Sequence, residues 1–522
     1  MLKLNRLKHA IAISLLTLLL TAPFSSAGLN IKSEKKPNII MFLVDDMGWQ
    51  DTSVPFWSEK TPLNNLYKTP AMEKLASSGM KFTQAYACAV CSPSRVSLMS
   101  GMNAARHRVT NWTLQRNIPV DPKDSILDFP RWNFNGLQPT DSIEQSVPVT
   151  TLPQILHDNG FYTIHCGKAH YGAMNTPAAN PLNLGFDINI AGHAAGAPGS
   201  YLGEKNFGNE GKGSHTLPWG VPGLEKYHGD TINLTEALTR EAITAMDIAL
   251  EKKKPFYLYM AHYAVHAPIT ADRRFYSKYM EMGLEEPEAR YASMIEAMDK
   301  SLGDLLNYLD QKGIAKNTII LFMSDNGGLS AEARGGVPHT HNRPLNSGKG
   351  SAYEGGIREP MIVKWPEQVE PGSKCDDYLI IEDFFPSILE LAGIKNYKTI
   401  QIVDGKSFVP MLLQKGTSAG NRNLFWHFPN KWGPIGPGIG TTSTVRSGDW
   451  KLVYWYKNHK SELFNIKQDI GEKNDLAGSE PAKVKQLSKL LGDYLRKVDA
   501  QRPFEKKSGK VAQWPDDTNS SR

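Results

Sequence analysis

Cys91-Ser92-Pro93-Ser94-Arg95 leads directly into Val96, Leu98, Met99 and Met102, apolar residues at helical spacing. A cysteine entering a helix N-terminus meets free N–H groups and the positive end of the macrodipole. Pro93 suits the first turn, where its missing N–H costs nothing. Arg95 adds a fixed positive charge two residues further on. The pentapeptide therefore sets a nucleophile precursor in a pocket suited to an anion.

Outward from it, two stretches read as strands buried on both faces. Asn38–Val44 is a continuous apolar run that stops at Asp45-Asp46, and residues 317–324 form a second run that stops at Asp325-Asn326. Neighbouring side chains on a strand point to opposite faces, so such pairs converge only where the strand has ended and turned. Ligand sites of open α/β sheets lie at carboxyl ends of this kind. Three carboxylates and an amide carbonyl are hard oxygen donors, suited to Ca²⁺ or Mg²⁺ and not to zinc.

The remaining chain alternates helical and strand patterns. Residues 151–159, 234–250 and 291–311 have helical spacing, while 161–164 and 256–260 read as strands. One strand runs into Gly167-Lys168-Ala169-His170; another reaches His262 and then His266-Ala267-Pro268. Residues 172–227 form a long Gly-, Asn- and Pro-rich region, read as part of a substrate pocket with His193 in it. Gly211-Lys212-Gly213 is a flexible segment there. Residues 334–343 hold His339, His341 and Arg343 without a regular period, and Gly348-Lys349-Gly350 and Glu354-Gly355-Gly356-Ile357-Arg358-Glu359-Pro360 follow. After Leu391 the pattern changes to short antiparallel strands at 441–445, 451–456 and 461–465, then an amphipathic helix through Leu487, Leu491 and Val498. Residues beyond Arg502 are polar and expected to be loose. No repeat at solenoid spacing is present.

The pentapeptide C-x-P-S-R resembles the signature of type I sulfatases in the alkaline phosphatase superfamily, and E-G-G-x-R-x-P at 354–360 resembles a second signature of that family. The resemblance covers nearly the whole chain after its leader, with motifs in family order. It implies an α/β fold with a large mixed, mostly parallel central sheet flanked by helices, and a small C-terminal α+β subdomain with an antiparallel sheet. The implied division is a signal peptide over 1–27, a catalytic domain over 36–420, the subdomain over 421–502 and a polar tail over 503–522. It implies that Cys91 is oxidised to formylglycine, so that position 91 carries a hydrated aldehyde. It also implies a metal held by Asp45, Asp46, Asp325, Asn326 and an oxygen of modified Cys91. Arg95, Lys168 and Lys349 are implied on the sulfate, His266 as leaving-group acid and His170 as the base that lets the aldehyde re-form. His193, His339, His341 and Arg343 are expected near the substrate, and Trp112, Trp132 and Trp219 as aromatics for a sugar.

Composition narrows the setting. Lys3, Arg6 and Lys8, an apolar run from Ala10 to Leu20 and Ser25-Ser26-Ala27 read as an export signal, and the apolar run is shorter than the roughly 20 residues a membrane span needs. A periplasmic or secreted protein without stable membrane insertion is expected. Fifty-nine basic and 53 acidic side chains give +6; removing the leader's three basic residues leaves 56 − 53 = +3, too mild to argue for nucleic acid. Four cysteines in 522 residues make a disulfide framework implausible, and Cys88-x-x-Cys91 lacks the second pair a zinc site needs. The resemblance, and not composition, implies the partners: a sulfated saccharide, with galactose-type sugars and O4 as the candidate sugar and position, and a formylglycine-generating or anaerobic maturation enzyme. The competing readings are a phosphonate or phosphodiester hydrolase of the same superfamily and a non-catalytic glycan-binding protein.

Overall fold

Every residue of Asn38–Val44 is buried, and alternation along this strand divides two cores. Ile39, Met41 and Leu43 face one; Ile40, Phe42 and Val44 face the other. Each such side chain contributes roughly 1.5–3 kcal/mol on full burial. The computed structural model describes residues 36–209, 218–331, 334–415 and 422–517. The leader and Gly211-Lys212-Gly213 lie outside them.

The main sheet contains β1 (Asn38–Val44), β2 (Met80–Tyr86), β3 (Tyr162–Gly167), β4 (Ile188–Ile190), β5 (Phe256–Ala261), β6 (Thr318–Ser324), β7 (Arg358–Lys364) and β8 (Ser373–Ile380). Its order is β8-β2-β7-β6-β1-β5-β3-β4. Strand β7 is antiparallel to β2 and β6, and the other pairings are parallel. Helices α1 (Cys91–Ser100), α2 (Leu152–Asp158), α3 (Leu234–Glu251), α4 (Glu286–Gln311) and α5 (Phe384–Leu391) cover its faces. Helices α1, α2 and α5 pack on the Ile39 face, α3 and α4 on the Phe42 face. Helix α4 begins ahead of the apolar pattern because Pro287 suits its first turn.

Register builds the site. Val44 lies opposite Ser324, Leu43 opposite Ala261, and Ala261 opposite Gly167. The residues that follow β1, β6, β5 and β3 therefore emerge side by side at one carboxyl edge.

A second, antiparallel sheet holds β9 (Asn423–Phe428), β10 (Thr442–Ser447), β11 (Trp450–Trp455) and β12 (Lys460–Asn465), in that order. Helix α6 (Pro481–Lys497) packs on it through Leu487, Leu491 and Leu495. The tail is not loose over 503–517. Phe504–Glu505 pairs with Leu127–Asp128, Ala512 is buried, and the Arg502 guanidinium lies 3.6 Å from the Trp514 ring. Ala512 and Trp514 pack while Phe504 and Val511 stay exposed, so two side chains and the strand pairing hold a stretch whose polar composition concealed it.

The E-G-G-x-R motif fastens this sheet to the larger one. Glu354 is buried, accepts from the Tyr86 hydroxyl at 2.7 Å and lies 3.0 Å from Lys451 Nζ, which is also 2.8 Å from Glu472. A Cβ on Gly355 or Gly356 would strike the carbonyls of Asn346 and Ser351, so both must be glycine. Lys451→Met strands two buried carboxylates beside one another. We expect a loss of about 3–5 kcal/mol, read as a lowered thermal midpoint; an unchanged midpoint would count against this fastening.

Candidate active site

Asp45, Asp46 and Asp325 are fully buried, and oxygens from all three lie within 4.8 Å of one another. Asp46 has φ 61°, a turn that lets its carboxylate join that of Asp45. Each acid faces a cation: Lys168 Nζ is 2.6 Å from Asp45, Lys349 Nζ is 2.7 Å from Asp46, and Arg95 Nη2 is 2.8 Å from Asp325. Burial opposes ionisation of Asp45, Asp46, Arg95 and Lys349. Against it, Lys349 and His266 hold the Asp46 carboxyl below its ordinary range, while Asp325 reinforces burial and drives Asp45 upward. Buried ion pairs are seldom more stabilising than apolar side chains of the same volume. A cluster of them at a sheet edge marks a functional site.

Two oxygens of this cluster lack a hydrogen-bond partner although buried, Asp45 Oδ1 and Asn326 Oδ1. The Asn326 amide nitrogen donates to Asp46 Oδ1 at 2.7 Å and to the Gly327 carbonyl at 3.1 Å, which leaves its oxygen free. A buried unpaired acceptor costs about 1–3 kcal/mol. Three carboxylates and these open oxygens fit a hard divalent cation.

Cys91 is the first residue of α1 and is 4% exposed. The N-cap, Val90, offers no side-chain acceptor, so the first-turn N–H groups remain available to a ligand. Burial raises the Cys91 thiol, opposed by the nearby Lys168 and Lys349. Ser94 shapes the approach, its Oγ accepting from Cys88 N at 2.9 Å. Burial pushes the Cys88 thiol up to about 12, so it is a packed and unreactive residue.

His170 and His266 lie close to this cluster, His170 within the influence of Lys168 and Arg95 and His266 within that of Lys349 and Asp46. His170 Nε2 donates to the Thr113 carbonyl at 2.8 Å, which fixes the tautomer and leaves Nδ1 buried without a partner. Burial, then Lys168 and Arg95, hold the His170 ring neutral. His266 Nδ1 meets the Ala267 carbonyl at 2.7 Å, and its Nε2 points to Asp46 at 3.6 Å. Burial and Lys349 lower His266 to about 3.

The family model Sulfatase matches residues 37–394, and the model N-sulphoglucosamine sulphohydrolase, C-terminal, matches 348–501. The chain belongs to the sulfatase family. It is 28% identical over 528 residues to a sulfatase of Formosa agariphila, covering 92% of this chain and 91% of that one. It is 29% identical over 454 residues to the N-acetylgalactosamine-6-sulfatase of Mus musculus, covering 85% and 76%. A solved structure of Ps i-CgsB in complex with k-i-k-neocarrahexaose superposes with a TM-score of 0.68 at 26% identity, covering 88% of this chain and 93% of that chain. The protein is a sulfuric ester hydrolase built on the mixed, mostly parallel sheet that its motifs imply.

The other expected residues of this sulfatase divide. His193 stays near: its carbonyl accepts from His170 N at 3.2 Å, and its Nε2 is buried without a partner. His262 faces away, 2.9 Å from Ser301 Oγ on α4 and against the Phe42 ring. His339, His341 and Arg343 make no hydrogen bond or ion pair with the acidic cluster among the described residues. His339 Nε2 lies 3.1 Å from the Ile435 carbonyl, His341 Nε2 3.0 Å from the Gly335 carbonyl, and Arg343 is exposed. Trp132 is not available to a sugar: it is fully buried, donating to Asp121 at 2.6 Å. Trp112 is half-buried and Trp219 is 37% exposed.

Three residues escaped the sequence reading. Thr113 sets the His170 tautomer through its backbone, which no side-chain pattern reports. Trp432 lies 5.9 Å from Lys349 Nζ, brought there from a distant loop. Glu359 is buried with both oxygens unpartnered, and burial, Asp325 and Asp46 raise its carboxyl. It sits inside the E-G-G-x-R-E-P stretch, where the signature drew attention to its neighbours.

Proposed function

We propose that this sulfatase removes sulfate from a sulfated carbohydrate, using formylglycine made from Cys91 and a Ca²⁺ ion, with Mg²⁺ as the alternative. The metal ligands are Asp45, Asp46, Asp325, Asn326 and an oxygen at position 91. The observation that carries the reading is Cys91 at an uncapped helix N-terminus beside three acid–cation pairs with open oxygens. In the structure Cys91 Sγ stands in for a hydroxyl of the hydrated aldehyde. That group and the cation together supply a geminal hydroxyl nucleophile and polarise the sulfate.

The chain's own groups do the rest. Arg95, Lys168 and Lys349 compensate charge on the sulfate oxygens, where it grows in the transition state. They are already oriented by their acids, so little reorganisation accompanies binding. His170, neutral and with Nδ1 free, is the base that takes a proton from position 91 when the sulfate leaves. His266 presents Nε2 toward the site, and its Nδ1–H is held by the Ala267 carbonyl. Burial and the Lys349 charge lower the ring, so Nε2 becomes an acid only when the anionic sulfate offsets that charge and Nε2 takes up a proton, which it then gives to the departing sugar oxygen.

The curated relatives named N-acetylgalactosamine-6-sulfatase and the saccharide complex of Ps i-CgsB support a galactose-type sugar. Family resemblance raises O4, while the curated relatives named N-acetylgalactosamine-6-sulfatase carry position 6 in their name; a panel of galactose and galactosamine 4- and 6-sulfates decides. An export signal supports action in the periplasm or outside the cell, after modification of Cys91 by a maturation enzyme.

His266→Ala separates leaving-group chemistry from sulfate binding. A sugar alkoxide is strongly basic and needs its proton; a nitrophenolate does not. We expect about 10²–10⁴-fold loss on a sulfated sugar and a far smaller loss on nitrophenyl sulfate. Lys168→Ala should slow both alike. Equal losses for His266→Ala on the two substrates would remove it from the acid role.

A further inference from the structure

A groove of ≈ 560 Å³ lies beside the loop that delivers Lys349, lined by Trp57, His339, Arg343, Asn346, Asp469 and Lys473 among others. This volume suits a small saccharide unit, since ligand pockets commonly hold 300–1,000 Å³. Its cations differ from surface lysines such as Lys74, Lys300 and Lys489, which each sit within 3.2 Å of an acid. Arg343 and Lys473 are exposed and have no acid partner among the described residues. The groove's one acid, Asp469, is already engaged: its Oδ2 accepts from Lys473 N and Asn474 N, both at 2.8 Å. The remaining field is positive. Trp57 packs against the core beneath and is half-buried, so its ring is a fixed platform.

The groove lies a short length of chain from the catalytic edge. Asn346 lines it, and Lys349 follows three residues later, a span of at most about 11 Å. The connecting loop is held rigidly, with Asn342 Nδ2 donating to the Gly328 carbonyl at 3.0 Å and the Ser347 carbonyl at 2.9 Å. His339, on the groove's other wall, meets the Ile435 carbonyl of the loop whose Trp432 stands over Lys349.

We propose that this groove holds a second anionic sugar of the same substrate chain. Lys473 and Arg343 face its sulfate or carboxylate, and Trp57 lies under a sugar ring. Arg343 has the planar fork that matches such an oxyanion. The inference rests on the carbohydrate reading above. It makes the enzyme prefer a multiply charged oligosaccharide to an isolated sulfated sugar.

The test uses fully modified protein, a galactan-type hexasaccharide sulfated on several units, and the matching monosulfated monosaccharide. Lys473→Gln should raise KM for the hexasaccharide about tenfold, the equivalent of one charged hydrogen bond, with kcat held within about twofold. It should leave the monosaccharide unaffected. Added salt should raise the wild-type hexasaccharide KM more steeply than that of the variant. Trp57→Ala should show the same split between substrates. Monosaccharide turnover together with equal KM changes on both substrates, or with none on either, overturns the groove while leaving the sulfatase reading intact. Failure of the wild-type enzyme to hydrolyse either substrate overturns the galactose-type reading and the groove with it.

Discussion

Replacing Cys91 with alanine should lower turnover by on the order of 10⁵-fold or more while leaving the fold in place. The expected size follows from what is removed: the bond-forming atom itself, and not a group that orients it. The site tolerates the change structurally. Cys91 is 4% exposed at the first position of α1, where alanine is a good helix former and loses no hydrogen bond. Arg95, Lys168 and Lys349 keep their acid partners in the variant, since none is held by the thiol. Sulfate should therefore still bind, and binding without turnover is the signature sought. The companion measurement is the mass of the peptide that carries position 91. Active wild-type protein should show a lower mass there than the thiol predicts, and activity should scale with the modified fraction. Full activity in Cys91→Ala, or in protein whose Cys91 is a verified thiol, would sink the mechanism.

The separation between what the sequence disclosed and what it hid has a physical basis. Strands β1 and β6 are buried on both faces, so they read as unbroken apolar runs, and the oxygens at their ends stand out against them. The same clarity marks helices α3 and α4, whose apolar stripes follow the helical period. Strands β7 and β8 were hidden for different reasons. β7 carries Arg358, Glu359 and Pro360 among its apolar residues, and β8 opens with Ser373, Lys374, Asp376 and Asp377 at a sheet edge. β9 lies in Asn423–Phe428, just after residues whose composition suggests a linker. Within the site, placement next to strand ends was legible: the acids after β1 and β6, Lys168 after β3 and His266 beyond β5 emerge at one edge. Contacts that depend on loop closure were not. Trp432 reaches Lys349 across a long separation, and Trp57 and Lys473 meet at one groove from opposite ends of the chain. Trp132 shows the converse: an aromatic in a polar stretch reads as a surface platform, yet Asp121 takes its N–H in the interior.

Removing the cation, or Asp325, is expected to abolish activity by a second route that leaves a stability trace. Asp45, Asp46 and Asp325 lie within 4.8 Å of one another, and the three cations beside them do not fill Asp45 Oδ1 or Asn326 Oδ1. A divalent ion held by these residues would satisfy both oxygens and offset the burial and the Asp325 charge that drive Asp45 upward. Because it binds the folded state, it stabilises by linkage, by about 2.7 kcal/mol when free metal is a hundred times its dissociation constant. Thorough chelation should therefore lower the thermal midpoint as well as activity, and Ca²⁺ should restore both together. Asp325→Asn tests the same centre from the protein side. It deletes one ligand charge and leaves the Arg95 guanidinium buried against a neutral amide. Metal content should fall, kcat/KM should drop by on the order of 10³-fold or more, and the midpoint should no longer respond to Ca²⁺. The last readout separates a metal centre from a buried ion-pair cluster. In a cluster that binds no metal, Asp325→Asn would destabilise the protein, but wild type would ignore chelation. Wild-type protein stripped of metal, verified by elemental analysis, that keeps its activity and midpoint would show that these carboxylates serve only Arg95, Lys168 and Lys349.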